Sequence, residues 1–396
     1  MKPEKAPGPG GVRALTVVLT TGCNLACAYC FQNARHPRRS LTWPTLRAAL
    51  DALLASEHDE VEVAFTGGEP LLEFRLIERA VAYVTDRQRA DQTVRYRLFT
   101  NGMLLGGRPA AFLAAHHVKT QLSFDGVAAA QALRGEKSFG VLDPLLDELR
   151  EEHGSWFRRD LSVAMTVLPE TVKHLAAGAR YFLSKGVAEF GFSPIITDSS
   201  TWPTEQIAEL DEQIEQVFTI CLAHSRETGE EPCDLFWERR PTPAGAQGRP
   251  LCRVGRSEAL ALDVDGHVSC CVLFGRSFQT FPSAFLRDRV ESLDLGDVRS
   301  DEWRRRLAEH PSAVRAAEIF DHQERKYSSY RKCGDCELLE ACQICPIAIG
   351  HIPGNADPHR IPDFLCAFNM AAGKHQKRWR SAAAKLPPQY YLEADY

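Results

Sequence analysis

From residue 14 to about 195, short apolar runs alternate with stretches of helical spacing. "ALTVVLT" (14–20) is rich in β-branched residues and predicts a buried strand. A helix is expected near 44–56, where Pro44 suits the first turn and Leu46, Leu50 and Leu53 share one face. "VEVAF" (61–65) alternates as a strand does, and Phe74, Ile77, Val81 and Val84 then recur at helical spacing. "VRYRLFT" (94–100) and "VKTQLSF" (118–124) predict strands on either side of a helical "PAAFLAAHH". Leu142, Leu145 and Leu149 mark a further helix. "LSVAMTV" (161–167), a helix near 171–185 and "AEFGFSP" (188–194) complete the series. With the helix after 203 this makes six strand–helix units. Such units demand parallel strands joined by right-handed crossovers. They form an open doubly wound sheet or an incomplete barrel, and in both the loops at the carboxyl ends of the strands carry the chemistry.

The rhythm then changes. Ile207, Leu210, Ile214, Val217 and Cys221 step by three and four along an amphipathic helix from about 204 to 224, which places Cys221 in a core. "EEPCDLFWERRPTPAGAQGRP" (230–250) is rich in Pro, Gly and charge and reads as a linker. "ALALDVDGHVSCCVL" (259–273) predicts a hairpin turning at Asp265-Gly266. Short helices and cysteine loops follow. The expected organisation is a disordered lead-in (1–12), a strand–helix domain (13–200), a helix and linker (201–249), a cysteine-rich domain (250–375) and a peripheral tail (376–396).

The chain has 396 residues, enough for two or three domains at about 100–200 residues each. Charged residues make up 25% and the net charge is -5, which argues against a nucleic-acid or anionic-membrane surface. No apolar run approaches the roughly 20 residues that span a bilayer. The N-terminus lacks the apolar stretch of a signal peptide, so a cytoplasmic protein is expected. Thirteen cysteines, an odd number without an export signal, argue against a disulfide framework. Three lie at the start, eight lie between Cys252 and Cys366, and Cys221 and Cys233 stand apart. That spacing points to metal sites in two regions.

Cys23, Cys27 and Cys30 follow the first strand and have no fourth thiol nearby, whereas structural zinc takes four ligands. A zinc loop borrowing His36 is the plain alternative. Cys-x3-Cys-x2-Cys at this place, with Tyr29 before the last cysteine, resembles the signature of the radical S-adenosylmethionine (SAM) superfamily. The resemblance implies a partial (β/α)6 TIM-type barrel. It also implies a [4Fe–4S] cluster on three thiolates whose fourth iron chelates SAM, and an external low-potential electron donor. An electron passed to the sulfonium would then give a 5′-deoxyadenosyl radical, chemistry that belongs to the cofactor. "TGGEP" (66–70), after the second strand, resembles the family's loop for the methionyl amino group, formed by Gly67, Gly68, Glu69 and Pro70. Ser123 and Asp125 of "LSFDG" resemble residues near the SAM ribose and carboxylate, and Arg134 would face the carboxylate. A turn-capping role for Asp125 and a solvated surface charge at Arg134 are the plain alternatives.

Cys252, Gly266 and Cys271 read Cys-x13-Gly-x4-Cys, and Cys333, Cys336, Cys342, Cys345 and Cys366 follow. This resembles the SPASM extension of radical SAM enzymes that modify peptides and proteins. Two residues separate Cys342 from Cys345, where that family usually has three. The resemblance implies an outer auxiliary cluster on Cys333, Cys336, Cys342 and Cys366. An inner cluster would lie on Cys252, Cys271 and Cys345, giving three [4Fe–4S] clusters in all. The plain alternative is one or two zinc ribbons. For a fourth inner ligand only Cys233 is a candidate, so an open iron is the other possibility. Cys270 reads either as a buried small hydrophobe or as a thiol that donates a hydrogen atom, as in some radical SAM peptide epimerases. Anaerobic sulfatase maturases carry an Asp base after the second cysteine of this motif, and here it is Val272.

The expectation is therefore a radical SAM/SPASM oxidoreductase that abstracts hydrogen from an unactivated carbon of a peptide or protein. An oxidative cross-link in a ribosomally made peptide leads. Formylglycine formation, epimerisation with Cys270, small-molecule dehydrogenation and a non-catalytic metal scaffold are the alternatives. Cys23 lies so near the N-terminus that no separate leader-recognition domain is expected before it. Leader binding would use the barrel edge, the second domain or a separate protein, with β-augmentation as one route.

Overall fold

The computed structural model describes residues 11–30, 37–195, 204–237, 258–278, 291, 293–317, 325–339, 342, 357 and 359–383. Cys252, Cys345 and His36 lie outside the described residues, as do the first ten residues and most of the linker and tail.

The first half is built of β1 (Ala14–Val18), α1 (Trp43–Leu54), β2 (Glu60–Thr66), α2 (Phe74–Thr85), β3 (Thr93–Thr100), α3 (Arg108–Ala115) and β4 (Lys119–Ser123). It continues through α4 (Ala128–Gln131), α5 (Ser138–Glu152), α6 (Gly154–Arg159), β5 (Leu161–Val167), α7 (Leu175–Ser184), β6 (Phe190–Pro194) and α8 (Thr204–Thr228). β1 to β6 pair in chain order, all parallel. A doubly wound sheet would reverse its order at a switch point. This one does not, so the fold is the open, barrel-like alternative.

Alternation along each strand sorts the two faces. Leu15 and Val17 of β1, Val61, Val63 and Phe65 of β2, and Leu161, Val163 and Met165 of β5 are buried under the helices. On the helix side they meet Leu46, Leu50 and Leu53 of α1 and Ile77, Val81 and Val84 of α2, all 0% exposed and in the same apolar cluster. Each such side chain contributes about 1.5–3 kcal/mol on burial. The opposite face, with Thr16, Glu62, Arg97, Gln121, Ser162 and Thr166, is polar and only partly covered. It forms the lumen.

The sheet does not end with the barrel. β7 (Ala259–Leu262) pairs parallel with β1, and β8 (His267–Ser269) and β9 (Gly296–Asp297) continue antiparallel, which makes nine strands in this sheet among the described residues. The predicted hairpin turns at Gly266, whose φ of +94° favours glycine. Residues 230–237, read as part of a linker, instead dock on the other edge. Phe190 N donates to Pro232 O at 2.8 Å, and Phe190 and Cys233 form a parallel bridge. Cys233 is buried beside Cys221 in the main core, and burial together with that neighbour pushes its pKa far up.

α9 (Glu302–Ala317) follows the hairpin, and α10 (Asp363–Ala383) packs back on α8. Trp379 stacks on Phe236 with centroids 5.2 Å apart, and Lys374 pairs with Asp211 at 2.7 Å. α10 carries Cys366 at its start, so the C-terminal thiols are tied to the barrel through this helix. Among the described residues no helix is long and apolar enough to cross a membrane.

Candidate active site

The cysteine loop leaves the carboxyl end of β1 and is fixed from two sides. On one side it meets "TGGEP". Gly68 N donates to Thr20 O at 2.7 Å, and Glu69 N donates to Gly22 O at 2.8 Å. The approach is so close that a Cβ on Gly68 would lie 2.2 Å from Gly22 O. Gly67, at φ +151°, would place one 2.6 Å from Thr20 O. Two consecutive glycines are needed because backbone packs on backbone here. On the other side Ala28 N donates to Leu133 O at 2.9 Å, which holds the loop to the segment after α4.

Glu69 is fully buried and acts as a hub. Its Oε1 accepts from Thr100 Oγ1 at 2.7 Å and from Leu71 N at 3.0 Å, and its Oε2 accepts from Asn101 N at 2.8 Å. Burial raises its pKa, while these donors favour the charged form. Asn101 in turn donates to Asn24 Oδ1 at 2.8 Å and faces Cys23 Sγ at 3.6 Å. One carboxylate thus fixes the end of β3 and, through Asn101, the first cysteine. Sequence reasoning missed Asn101. Its one signal, an Asn-Gly pair after a strand, reads as ordinary turn chemistry.

Asp125 and Arg134 meet each other. Arg134 Nε donates to Asp125 Oδ2 at 2.8 Å and Nη2 donates to Oδ1 at 2.9 Å. Asp125 Oδ1 also accepts from Thr166 N at 2.9 Å, and Oδ2 accepts from Tyr29 Oη at 3.3 Å. The pair is buried, with side chains 1% and 8% exposed. Burial works against the Arg134 charge, yet its bonds to Asp125 hold its pKa above the usual range. Ser123 ends β4 just before this pair and is half-buried.

Burial also raises the thiol pKa values of Cys23 and Cys27, the latter to about 11, with Arg134 pulling Cys27 back down. Such thiols ionise when a cation binds, so loading releases protons. Leu25 N donates to Cys23 Sγ at 3.4 Å. Bonds of this kind help set a cluster's potential.

In the C-terminal region Cys333, Cys336, Cys342 and Cys366 line one pocket with Arg331, Leu339 and Met370. Ser328 Oγ donates to Cys366 Sγ at 3.2 Å, and Arg331 Nη1 faces Cys336 Sγ at 3.6 Å. Four thiols with donors aimed at sulfur fit an iron–sulfur cluster. Among the described residues no three His, Cys, Asp or Glu side chains close around the position of a single metal ion. A four-iron cluster asks for ligands spaced more widely than one ion does. Cys271, half-buried, caps the turn Val272–Phe274, and Cys270 is 3% exposed in the main core.

A family profile described as "Radical SAM superfamily" matches residues 17–177. The chain is 33% identical over 324 residues to a GTP 3′,8-cyclase of Corynebacterium glutamicum, covering 72% of this chain and 78% of the relative. It is 25% identical to the mycofactocin maturase MftC of Mycolicibacterium smegmatis over 83% of this chain and 76% of that one. It is 28% identical to the uncharacterized protein MJ0907 of Methanocaldococcus jannaschii over 46% of this chain, spanning 62% of that relative's length. In fold it is similar to native anSMEcpe with bound AdoMet and Kp18Cys peptide. That match has a TM-score of 0.70 and 17% identity, and covers 94% of this chain and 99% of that one. The matched profile spans the cysteine triad, the loop docked on it and the buried Asp125–Arg134 pair, and with the cyclase relative it settles the family: the chain belongs to the radical SAM superfamily.

Proposed function

We propose that this protein is a peptide- or protein-modifying radical SAM/SPASM enzyme that abstracts hydrogen from an unactivated carbon and forms an oxidative cross-link. Cys23, Cys27 and Cys30 would hold the SAM-binding [4Fe–4S] cluster, with Tyr29 beside them. Gly67, Gly68, Glu69 and Pro70 would form the methionyl side of the SAM site. Ser123, Asp125 and Arg134 would lie on its ribose and carboxylate side. Cys333, Cys336, Cys342 and Cys366 would bind the outer auxiliary cluster, and Cys252, Cys271 and Cys345 the inner one. When bound, cluster and SAM supply the hydrogen-abstracting radical. The chain's own share is to hold SAM and substrate close and to keep water out.

The observation that carries this reading is the docking of "TGGEP" on Thr20–Gly22, directly before Cys23. A zinc scaffold has no use for such a loop at the carboxyl end of β2. Peptide as the substrate class is supported by the second thiol set and by the peptide-bound fold neighbour. Val272, where sulfatase maturases carry Asp, weighs against formylglycine, and the deep burial of Cys270 weighs against its use as a hydrogen donor. The cyclase relative favours a second reading, action on a small molecule.

Anaerobic reconstitution with SAM and a strong reductant tests the proposal. About 12 irons per chain and formation of 5′-deoxyadenosine are expected. A protein that forms none does not carry out the proposed hydrogen abstraction. Loss of two hydrogens from the peptide encoded beside the gene would identify a cross-link or unsaturation, and processing of a nucleotide instead would establish the second reading.

A further inference from the structure

One buried donor in the C-terminal pocket has no acceptor. Residues three and four apart on a helix are neighbours, so α10 turns Cys366, Asn369 and Met370 to the same side. All three line the pocket that Cys333, Cys336 and Cys342 share. Asn369 Nδ2 is fully buried, and among the described residues no atom accepts a hydrogen bond from it. Leu338, Leu339 and Ile361 make much of the remaining wall apolar.

A buried amide donor left unpaired is rare and destabilising. Asparagine is also a weak helix former, so a place in the interior of α10 does not account for it. What the pocket offers a donor is sulfur. Donors already face two of the thiols: Ser328 Oγ donates to Cys366 Sγ at 3.2 Å, and Arg331 Nη1 faces Cys336 Sγ at 3.6 Å. Both stand outside α10, and Asn369 adds a donor from the helix itself. A cluster on these four thiols would bring sulfides as well as thiolates within the pocket. Hydrogen bonds to such sulfurs help set a cluster's potential. The reduced cluster carries one more negative charge, so a donor stabilises it more than the oxidised one.

We propose that Asn369 is a positioning residue whose Nδ2 donates a hydrogen bond to a sulfur of the cluster held by Cys333, Cys336, Cys342 and Cys366. The bond makes that cluster easier to reduce. This inference rests on the outer-cluster reading above.

The test uses the full chain, reconstituted anaerobically, in redox titrations followed by electron paramagnetic resonance. The outer cluster is the spectral component that Cys366→Ser lacks. Asn369→Leu keeps the shape of the side chain and removes the donor, and Asn369→Ala serves beside it. At wild-type iron content each should make the outer cluster about tenfold harder to reduce, the worth of one hydrogen bond. That is a midpoint about 59 mV lower for one electron. The other components should not move. Wild type made with asparagine isotope-labelled at the side-chain amide nitrogen should show a nitrogen coupling in the outer-cluster component. That coupling should vanish in Asn369→Leu. Where a variant fails to load iron, the coupling in wild type decides. A missing coupling overturns the inference, as does an unmoved midpoint at full iron content, which a water bonded to Asn369 would give. Both outcomes leave the outer cluster standing. Iron and spectrum unchanged in Cys366→Ser would overturn the outer-cluster reading and the inference together.

Discussion

Arg134 grips Asp125 with two parallel bonds of 2.8 and 2.9 Å, and this pair lies under the cysteine loop rather than at the surface. The fork geometry leaves Arg134 one further bond to Thr166 Oγ1 at 3.0 Å, while its charge acts on Cys27. One ion pair thus ties α4's following segment, β5 and the cysteine loop together.

Removing one partner of a buried pair strands the other in low dielectric. Arg134→Gln should therefore destabilise the metal-free protein by about 3–5 kcal/mol. Arg134→Lys keeps the charge but loses the fork, and should cost less, about 1–3 kcal/mol. Urea denaturation midpoints at equal slope measure both. Equal stability for Arg134→Gln and wild type would mean that the pair does not hold the loop.

Gly68→Ala tests the other clamp. Its methyl has nowhere to go but against the Gly22 carbonyl, 2.2 Å away, so the two loops must separate. Overpacking of this kind costs about 1–3 kcal/mol. The larger effect is expected in reconstitution, where the N-terminal cluster should load incompletely. Iron content and the denaturation midpoint should fall together, and full iron loading would mean that the loop contact is dispensable.

The strand–helix series was legible because β1, β2, β3 and β5 are short runs rich in β-branched and aromatic residues, each followed by a stretch of helical spacing. Pro44, Leu46, Leu50 and Leu53 give α1 its start and its buried face, and nothing distant overrides them. The pairing of β7 with β1 was not legible. "ALAL" fits any sheet edge, and its partner lies more than 240 positions away in sequence. Pro and Gly near 230–250 suggested a spacer, yet Cys233, Leu235 and Phe236 anchor a turn on β6. The cysteine sets and "TGGEP" stood out because their chemistry is tied to spacing. Asn101 did not, because a lone asparagine after a strand has a sufficient local explanation. Asp125 and Arg134 could be flagged as charged residues, but their mutual bond appears only when α4 folds back.

His375 should make the α8–α10 contact sensitive to pH. Its side chain is fully buried on α10, with Asp211 at 3.6 Å, Glu215 at 3.8 Å, and Lys374, Arg378 and Phe218 around it. Burial lowers its pKa, and Arg378 and Lys374 add to that against the two carboxylates. A histidine with a depressed folded pKa contributes its stability above the unfolded value of about 6.5 and loses it as pH falls below. Wild type should therefore lose more stability than His375→Gln as pH drops through that range. Denaturation midpoints of both proteins across the range measure the difference. Parallel curves would place the titration elsewhere.

The two thiol sets should separate in a pair of substitutions. Cys366 leaves α10 into a pocket shared with Cys333, Cys336 and Cys342, far along the chain from the triad. Cys366→Ser exchanges a soft thiolate for a hydroxyl that binds iron poorly, so about four of about 12 irons per chain should be lost. Cleavage of SAM without substrate should continue, because the triad and its two clamps are untouched. Cys23→Ser should also remove about four irons, but should abolish 5′-deoxyadenosine. Circular dichroism of both variants serves as the control for the fold, and iron and nucleoside are measured on the same sample. If Cys366→Ser lost SAM cleavage as completely as Cys23→Ser, the pocket would belong to the SAM site, and the division into a radical-generating centre and an auxiliary one would fail.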